Sequence, residues 1–254
     1  MPLNPVIASH ASSRRHLCQS TENATEGVFS FAIIISINYA LAYNFSMQKK
    51  QILIGYKLLF AFLALSSVAI EIATTLSRST FNAANFFSYF TIESNLIAAI
   101  ALLLGAQATT QNHKSRQLDM LRGAATLYMV TTGIVFTVLL SGLGNVEFTA
   151  VPWDNLILHY IAPVAVLVDW LIDRAGHIAY KQALLWLIFP VTYLAYSVIR
   201  GSVVGWYPYP FLNPATGGYE GIVITSIGIA IFAALLTGIL LRFTTNRTSK
   251  RSSR

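Results

Sequence analysis

The chain has little charge for its length. Only 11% of its 254 residues are charged, whereas 55% are hydrophobic, and an ordinary soluble domain carries about 25% charged residues. This deficit, together with repeated apolar runs of about twenty residues, predicts a polytopic membrane protein. The runs are continuous and do not alternate between apolar and polar residues, which favours helices over a β-barrel.

Cysteine is nearly absent too. The single residue Cys18 excludes an intrachain disulfide and any site built from several cysteines. His159 is the only histidine inside an apolar run, and the carboxylates show no recognisable metal-ligand spacing, so we expect neither a metal nor another cofactor. The net charge of +7 comes from basic residues that flank the apolar runs. Basic residues at the ends of apolar runs are typical of a membrane protein, in which they set the orientation of the spans and contact anionic lipid headgroups. This distribution argues against nucleic acid as a partner.

We predict an all-α polytopic membrane protein with a six-span core over residues 47–242. The region 1–46 is an N-terminal extension, and 243–254 is a basic cytoplasmic tail. A further helix over Val28–Phe45 stays open, as does the alternative that Met47 is the true start. The predicted spans are Ile52–Leu76, Phe86–Leu104, Leu121–Leu140, Asn155–Ile172, Ala183–Ile199 and Ile222–Leu241.

The positive-inside rule gives these spans an orientation. A cytoplasmic C-terminus places twelve basic residues on the cytoplasmic side, and leaves only Arg78 and Arg200 in the opposite loops. We therefore expect a multi-pass protein of a bacterial inner (plasma) membrane. The twelve residues are Lys49, Lys50, Lys114, Arg116, Arg122, Arg174, Lys181, Arg242, Arg247, Lys250, Arg251 and Arg254.

This orientation gathers polar residues on the non-cytoplasmic side. At 1.5 Å per residue, Thr91 lies about 7 Å into span two and His159 about 6 Å into span four, so both share one depth in the outer leaflet. A histidine at membrane depth is by default a functional-site hypothesis. The same layer holds further polar and aromatic residues, namely Glu71, Asn95, Asn155, Arg200 and the loop residues Trp206, Tyr207 and Tyr209.

A threonine and a histidine at one depth suggest a nucleophile and its base, because imidazole titrates near neutrality. Asn95 or Arg200 would then stabilise an oxyanion, and Glu71, Asn155 or Asp154 would orient the imidazole. Structural interpretations stay open for all of these residues. A threonine in a helix commonly bonds the carbonyl four residues earlier, and a histidine can simply join two helices. The aromatic loop can be an interfacial belt, and charged residues such as Lys57 and Asp169 can snorkel or pair near helix ends.

Three segments carry a resemblance to a known family. They are 85–96 (NFFSYFTIESNL), 153–163 (WDNLILHYIAP) and 200–211 (RGSVVGWYPYPF). In this order they resemble a bacterial family of six-span membrane proteins, which is itself similar to the eukaryotic androgen-induced and androgen-dependent membrane proteins. Those are intramembrane threonine hydrolases that cleave fatty acid esters of hydroxy fatty acids. The resemblance covers about residues 51–242 and implies Thr91 as nucleophile and His159 as base.

The leading hypothesis is therefore an intramembrane hydrolase of fatty acyl esters, whose partners are membrane lipids or a lipid-like substrate. Two rivals remain. A small-molecule or ion transporter would use Glu71, His159 and Arg200 along a polar path, although such a path should cross the midplane. A non-catalytic lipid-binding protein would use the aromatic loop as its contact surface. The sequence does not specify the substrate or the oligomeric state.

Overall fold

The computed structural model describes residues 46–143 and 149–245. The chain divides into two compact units, Met1–Ile52 and Leu53–Arg254, and every contact reported below lies within the second unit. Within residues 46–143 and 149–245, six helices are long and apolar enough to cross a membrane. They are α1 (Ser46–Ser77), α2 (Phe90–Thr110), α3 (Arg116–Leu140), α4 (Pro152–Ile172), α5 (Tyr180–Val204) and α6 (Pro214–Leu241).

The predicted all-α polytopic fold with six spans is confirmed. The largest difference in boundaries is at α6, which begins at Pro214 and not at the predicted Ile222. The difference that affects the candidate site is at the start of α2. Asn82 caps a one-turn helix, Ala83–Phe86, and the chain then becomes extended at Tyr89 before α2 begins at Phe90. Thr91 is therefore the second residue of its helix and not the fifth or sixth. The candidate span Val28–Phe45 and most of the basic tail lie outside the described residues.

Large apolar side chains lie on the surface of the helix bundle as well as in its core. Phe62, Val138 and Val203 expose 68%, 71% and 80% of their surface, as expected for side chains that face lipid. Small residues fill the interior where α1, α2, α3 and α4 meet, which lets membrane helices approach closely. This cluster contains Ala61, Ala64, Ala98, Ala99, Ala101, Ala125 and Ala162 with Leu102, Met129 and Val166.

α4 departs from regular α-helical geometry around His159. Residues Ile157–Ile161, which include His159, form a π-helical turn. Pro163 has no backbone N–H and so cannot donate to the carbonyl of His159 four residues earlier, which gives a local reason for the widened turn. A Cβ at Gly133 of α3 would lie 3.1 Å from that carbonyl. The glycine therefore allows α3 to pack tightly against the irregular turn.

Candidate active site

The Thr91 and His159 side chains meet inside the helix bundle. Thr91 Oγ1 lies 3.2 Å from His159 Nε2, and the two residues are only 7% and 4% exposed. Because Thr91 sits in the first turn of α2, no helical carbonyl precedes it by four residues. Its hydroxyl instead contacts His159 and Tyr209, so the usual structural role of a helix threonine does not apply here.

The tautomer of His159 follows from its second nitrogen. Nδ1 lies 3.2 Å from the backbone oxygen of Asn155, and a carbonyl can only accept, so Nδ1 carries the proton. Nε2 is then the lone-pair nitrogen, and it accepts the hydrogen bond from the Thr91 hydroxyl. This is the arrangement that a general base needs. The ring is also held by Phe136, which stacks on it with ring centroids 3.9 Å apart.

Tyr209 completes a hydrogen-bond chain at Thr91. Its hydroxyl accepts from the backbone N–H of Thr91 at 3.2 Å and lies 3.3 Å from Thr91 Oγ1. With the Thr91 proton directed at His159, the Tyr209 proton is free to point at Oγ1. Burial raises the pKa of Tyr209 to about 12, so this hydroxyl stays protonated and a donor at neutral pH.

Asn95 positions the two helices relative to each other. Its amide nitrogen donates to the carbonyl of Thr91 at 2.8 Å and to that of Leu158 in α4 at 3.2 Å. Both amide protons are thereby used, so this nitrogen is not available for the oxyanion role that we considered from the sequence. The Asn95 Oδ1 atom has no hydrogen-bond partner among the described residues.

The other predicted site residues lie further from the Thr91–His159 pair. Glu71 accepts from the backbone N–H of Ala150 at 2.7 Å. Arg200 donates to Asn85 Oδ1 at 2.7 Å and lies over the Trp206 ring, 5.2 Å from its centroid. Asn155 holds the imidazole through its backbone oxygen, not through its side chain. Neither carboxylate considered for that task, Glu71 or Asp154, forms a described hydrogen bond to the ring.

The aromatic loop between α5 and α6 divides into separate roles. Tyr207 packs against Gly201, where a Cβ would come within 2.1 Å of its ring. Trp206 meets the edge of Tyr89 with centroids 5.5 Å apart. Only Tyr209 reaches Thr91, and Phe211 stacks in parallel on Tyr209 with centroids 5.2 Å apart. The sequence singled out this loop but gave no sign of which aromatic residue enters the site.

An apolar cavity of about 150 Å³ opens beside Thr91. Its walls come from α2, α3, α5, α6 and the loop before α6. Two hydroxyls in this wall, those of Thr131 and Ser226, have no hydrogen-bond partner among the described residues. The remaining wall is largely apolar and includes Phe90, Leu127, Val135, Phe136, Leu140, Leu194, Leu212 and Ile229.

Comparisons with known proteins add no assignment. No family model matches the chain, and neither a curated protein nor a solved structure is significantly similar to it. Within the described residues, no group of three or more His, Cys, Asp or Glu side chains could hold a metal ion. The chemistry of the site therefore has to be argued from its own geometry.

Proposed function

We propose that the protein is an intramembrane hydrolase of fatty acyl esters, with Thr91 as the nucleophile and His159 as the general base. The observation that carries the proposal is the 3.2 Å contact between Thr91 Oγ1 and a His159 Nε2 whose tautomer makes it an acceptor. A threonine hydroxyl is a weak nucleophile until a positioned base removes its proton.

The reaction has two halves. Thr91 Oγ1 attacks the ester carbonyl carbon while its proton passes to His159 Nε2, and the tetrahedral intermediate then expels the alcohol, which takes that proton. The product is an acyl ester on Thr91. In the second half, water gives its proton to His159 and attacks this ester, and the fatty acid leaves as Thr91 recovers its proton.

Two donors are placed to stabilise the oxyanion. The backbone N–H of Thr91 is one of the free amides at the start of α2, where the helix dipole favours negative charge. It now binds the Tyr209 hydroxyl. A substrate oxygen arriving at this position would accept from the amide and from the Tyr209 O–H together.

The cavity beside Thr91 suits an acyl chain. Its lining is largely apolar and includes Thr91 and Tyr209, so a chain placed there could present its ester carbonyl to these two residues. Burial of apolar surface would supply the binding energy. This arrangement, together with the resemblance carried by segments 85–96, 153–163 and 200–211, supports a fatty acyl ester as the substrate class.

We further propose a setting in a bacterial inner membrane with the C-terminus in the cytoplasm. The distribution of lysine and arginine supports this orientation. It places the start of α2 and the start of α4 toward the outer leaflet, where water for the second half-reaction is available.

The test is hydrolysis of a fluorogenic long-chain acyl ester by the full-length protein in detergent. Thr91→Ala and His159→Ala should each lower kcat/KM by about 10³-fold or more. Thr126→Ala is the matched control, because Thr126 is also a buried helix threonine but bonds its own helix carbonyl at 2.8 Å. Full activity of Thr91→Ala would overturn the proposal, and bound lipid without turnover would favour the lipid-binding rival.

A further inference from the structure

A second group of buried oxygens lies where the end of α1 meets the start of α4. Ser67 and Asp154 are fully buried and Glu71 is 7% exposed. Ser67 and Glu71 are four residues apart and so share one face of α1. Asp154 lies within electrostatic range of Glu71, and the Ser67 hydroxyl lies beside the Asp154 carboxylate. We call these three residues the oxygen cluster.

Several oxygens of the cluster lack a well-formed hydrogen bond. Ser67 Oγ, Glu71 Oε2 and both carboxylate oxygens of Asp154 have no partner at hydrogen-bond geometry within the part of the chain that the structure describes, although the Ser67 hydroxyl lies close to the Asp154 carboxylate. Glu71 Oε1 accepts from the N–H of Ala150 at 2.7 Å, and the N–H of Val151 lies close to the same carboxylate. The cation that acts on Glu71 is Arg78, and no ion pair within 4.0 Å joins the two in residues 46–143.

Such an arrangement is costly unless something compensates the charge. A buried carboxylate without a counter-ion costs several kcal/mol even after the surroundings relax. Two carboxylates within electrostatic range of each other add mutual repulsion. The cluster therefore requires either protons or a bound cation.

The donor set selects the kind of cation. It contains oxygen alone, with no nitrogen or sulfur, and oxygen donors suit hard cations. Two carboxylates balance a divalent charge. Mg²⁺ demands near-ideal octahedral geometry and keeps its water, whereas Ca²⁺ accepts irregular coordination completed by carbonyls and a few waters. An open polar cavity of about 360 Å³, lined by Glu71, Thr75, Thr149 and Ala150, reaches the Glu71 side of the cluster.

We propose that Ser67, Glu71 and Asp154 form a Ca²⁺ site that joins α1 to the start of α4. The inference is independent of the proposed hydrolysis, because none of the three side chains contacts Thr91 or His159. The bound ion would replace the missing partners of four buried oxygens and so stabilise the folded protein.

The experiment measures the thermal unfolding midpoint of the full-length protein in detergent, stripped with a chelator and then titrated with CaCl₂ at constant ionic strength. We expect a saturable rise of several degrees, with a smaller rise for MgCl₂. Glu71→Gln and Asp154→Asn should each remove the response to Ca²⁺. Glu220→Gln, which changes an exposed carboxylate of α6, should keep it.

Equilibrium binding of ⁴⁵Ca²⁺ to the unmodified protein gives a second readout that does not depend on the folding of any variant. One ion bound per chain is expected, and its displacement by excess MgCl₂ should be weak. A midpoint that is the same with and without Ca²⁺, as for carboxylates that merely share a proton, would overturn the proposal. So would a Ca²⁺ response that survives in the Glu71→Gln/Asp154→Asn double variant.

Discussion

Two buried polar regions of this bundle are built in opposite ways. The ion-pair cluster near the end of α4 consists of Lys57, Arg122, Asp169 and Asp173. Asp169 pairs with Lys57 and, at 2.8 Å, with Arg122. Asp173 lies 3.1 Å from Lys57 and 3.4 Å from Arg122. Ten residues earlier in α4, about 15 Å away along the helix axis, His159 and Thr91 form the candidate active site.

The two regions differ in how many of their polar groups have a well-placed partner. In the ion-pair cluster every charged side chain has an oppositely charged partner in contact. At the candidate active site the hydrogen bonds of Thr91 Oγ1 are long, at 3.2 and 3.3 Å, and Asn95 Oδ1 is unpartnered among the described residues. A saturated cluster holds helices together, whereas a site with spare donors and acceptors can bind and transform a ligand.

The largest expected effect comes from removing one carboxylate of the ion-pair cluster. Asp169→Ala would leave Lys57 and Arg122 buried with Asp173, and for Arg122 also the more distant Asp119 at 3.8 Å, to compensate them. We expect a loss of about 3–5 kcal/mol in the free energy of unfolding, measured by denaturant titration in mixed micelles. Lys114→Ala is the control, because Lys114 also pairs with Asp173 but its side chain is 50% exposed. Its expected cost is below about 1 kcal/mol. An equal cost for both variants would contradict the contrast between buried and exposed pairs.

A smaller and different effect is expected at the other region. Tyr209→Phe removes one hydroxyl that contacts Thr91 and leaves the aromatic stack on Phe211 intact. We expect kcat for ester hydrolysis to fall about 10- to 100-fold while KM changes little. The thermal unfolding midpoint should fall modestly, because the buried backbone N–H of Thr91 loses its acceptor. Tyr207→Phe serves as control, since Tyr207 packs on Gly201. An unchanged kcat in Tyr209→Phe would remove Tyr209 from the mechanism.

The smallest effect concerns pH. Burial raises the pKa of Asp173, but Arg122, Lys57 and Lys114 lower it further, so the net pKa lies below its usual value. A carboxyl with a depressed folded-state pKa stabilises the fold above its unfolded pKa, about 3.9, and loses that stabilisation as the pH falls through its folded value. We expect stability to decline below about pH 4, and Asp173→Asn to flatten this decline. The readout is the unfolding midpoint against pH, and an identical acid slope in the variant would contradict the assignment.

The six spans and the meeting of Thr91 with His159 could be predicted from the sequence, but the finer geometry of the candidate active site could not. Six apolar runs predict six spans. Thr91 and His159 were expected at one level because both lie near the starts of spans predicted to run in the same direction, and the two side chains are in contact. The widened turn at His159 was readable in principle from Pro163, four residues later. By contrast, the entry of Tyr209 into the site depends on the folded path of a loop, which local sequence patterns do not specify.

The sequence also did not predict which charged side chains pair with each other in the interior. Lys57 and Asp169 were expected to snorkel or to pair near helix ends, and the structure shows that they pair with each other in the interior. Because Lys57 and Asp169 are 112 positions apart, no local sequence pattern predicts that they are in contact. The same holds for Asn95, whose bond to Leu158 requires the packing of α2 on α4.

The central claim is that Thr91 is a nucleophile activated by His159, and covalent labelling tests it most directly. The full-length protein is treated with a fluorophosphonate probe, and the modified peptide is identified by mass spectrometry. We predict one adduct on Thr91 Oγ1, absent in Thr91→Ala, strongly slowed in His159→Ala and unchanged in Thr126→Ala. An adduct on another residue, or labelling of the Thr91→Ala variant at the rate of the unmodified protein, would contradict the claim.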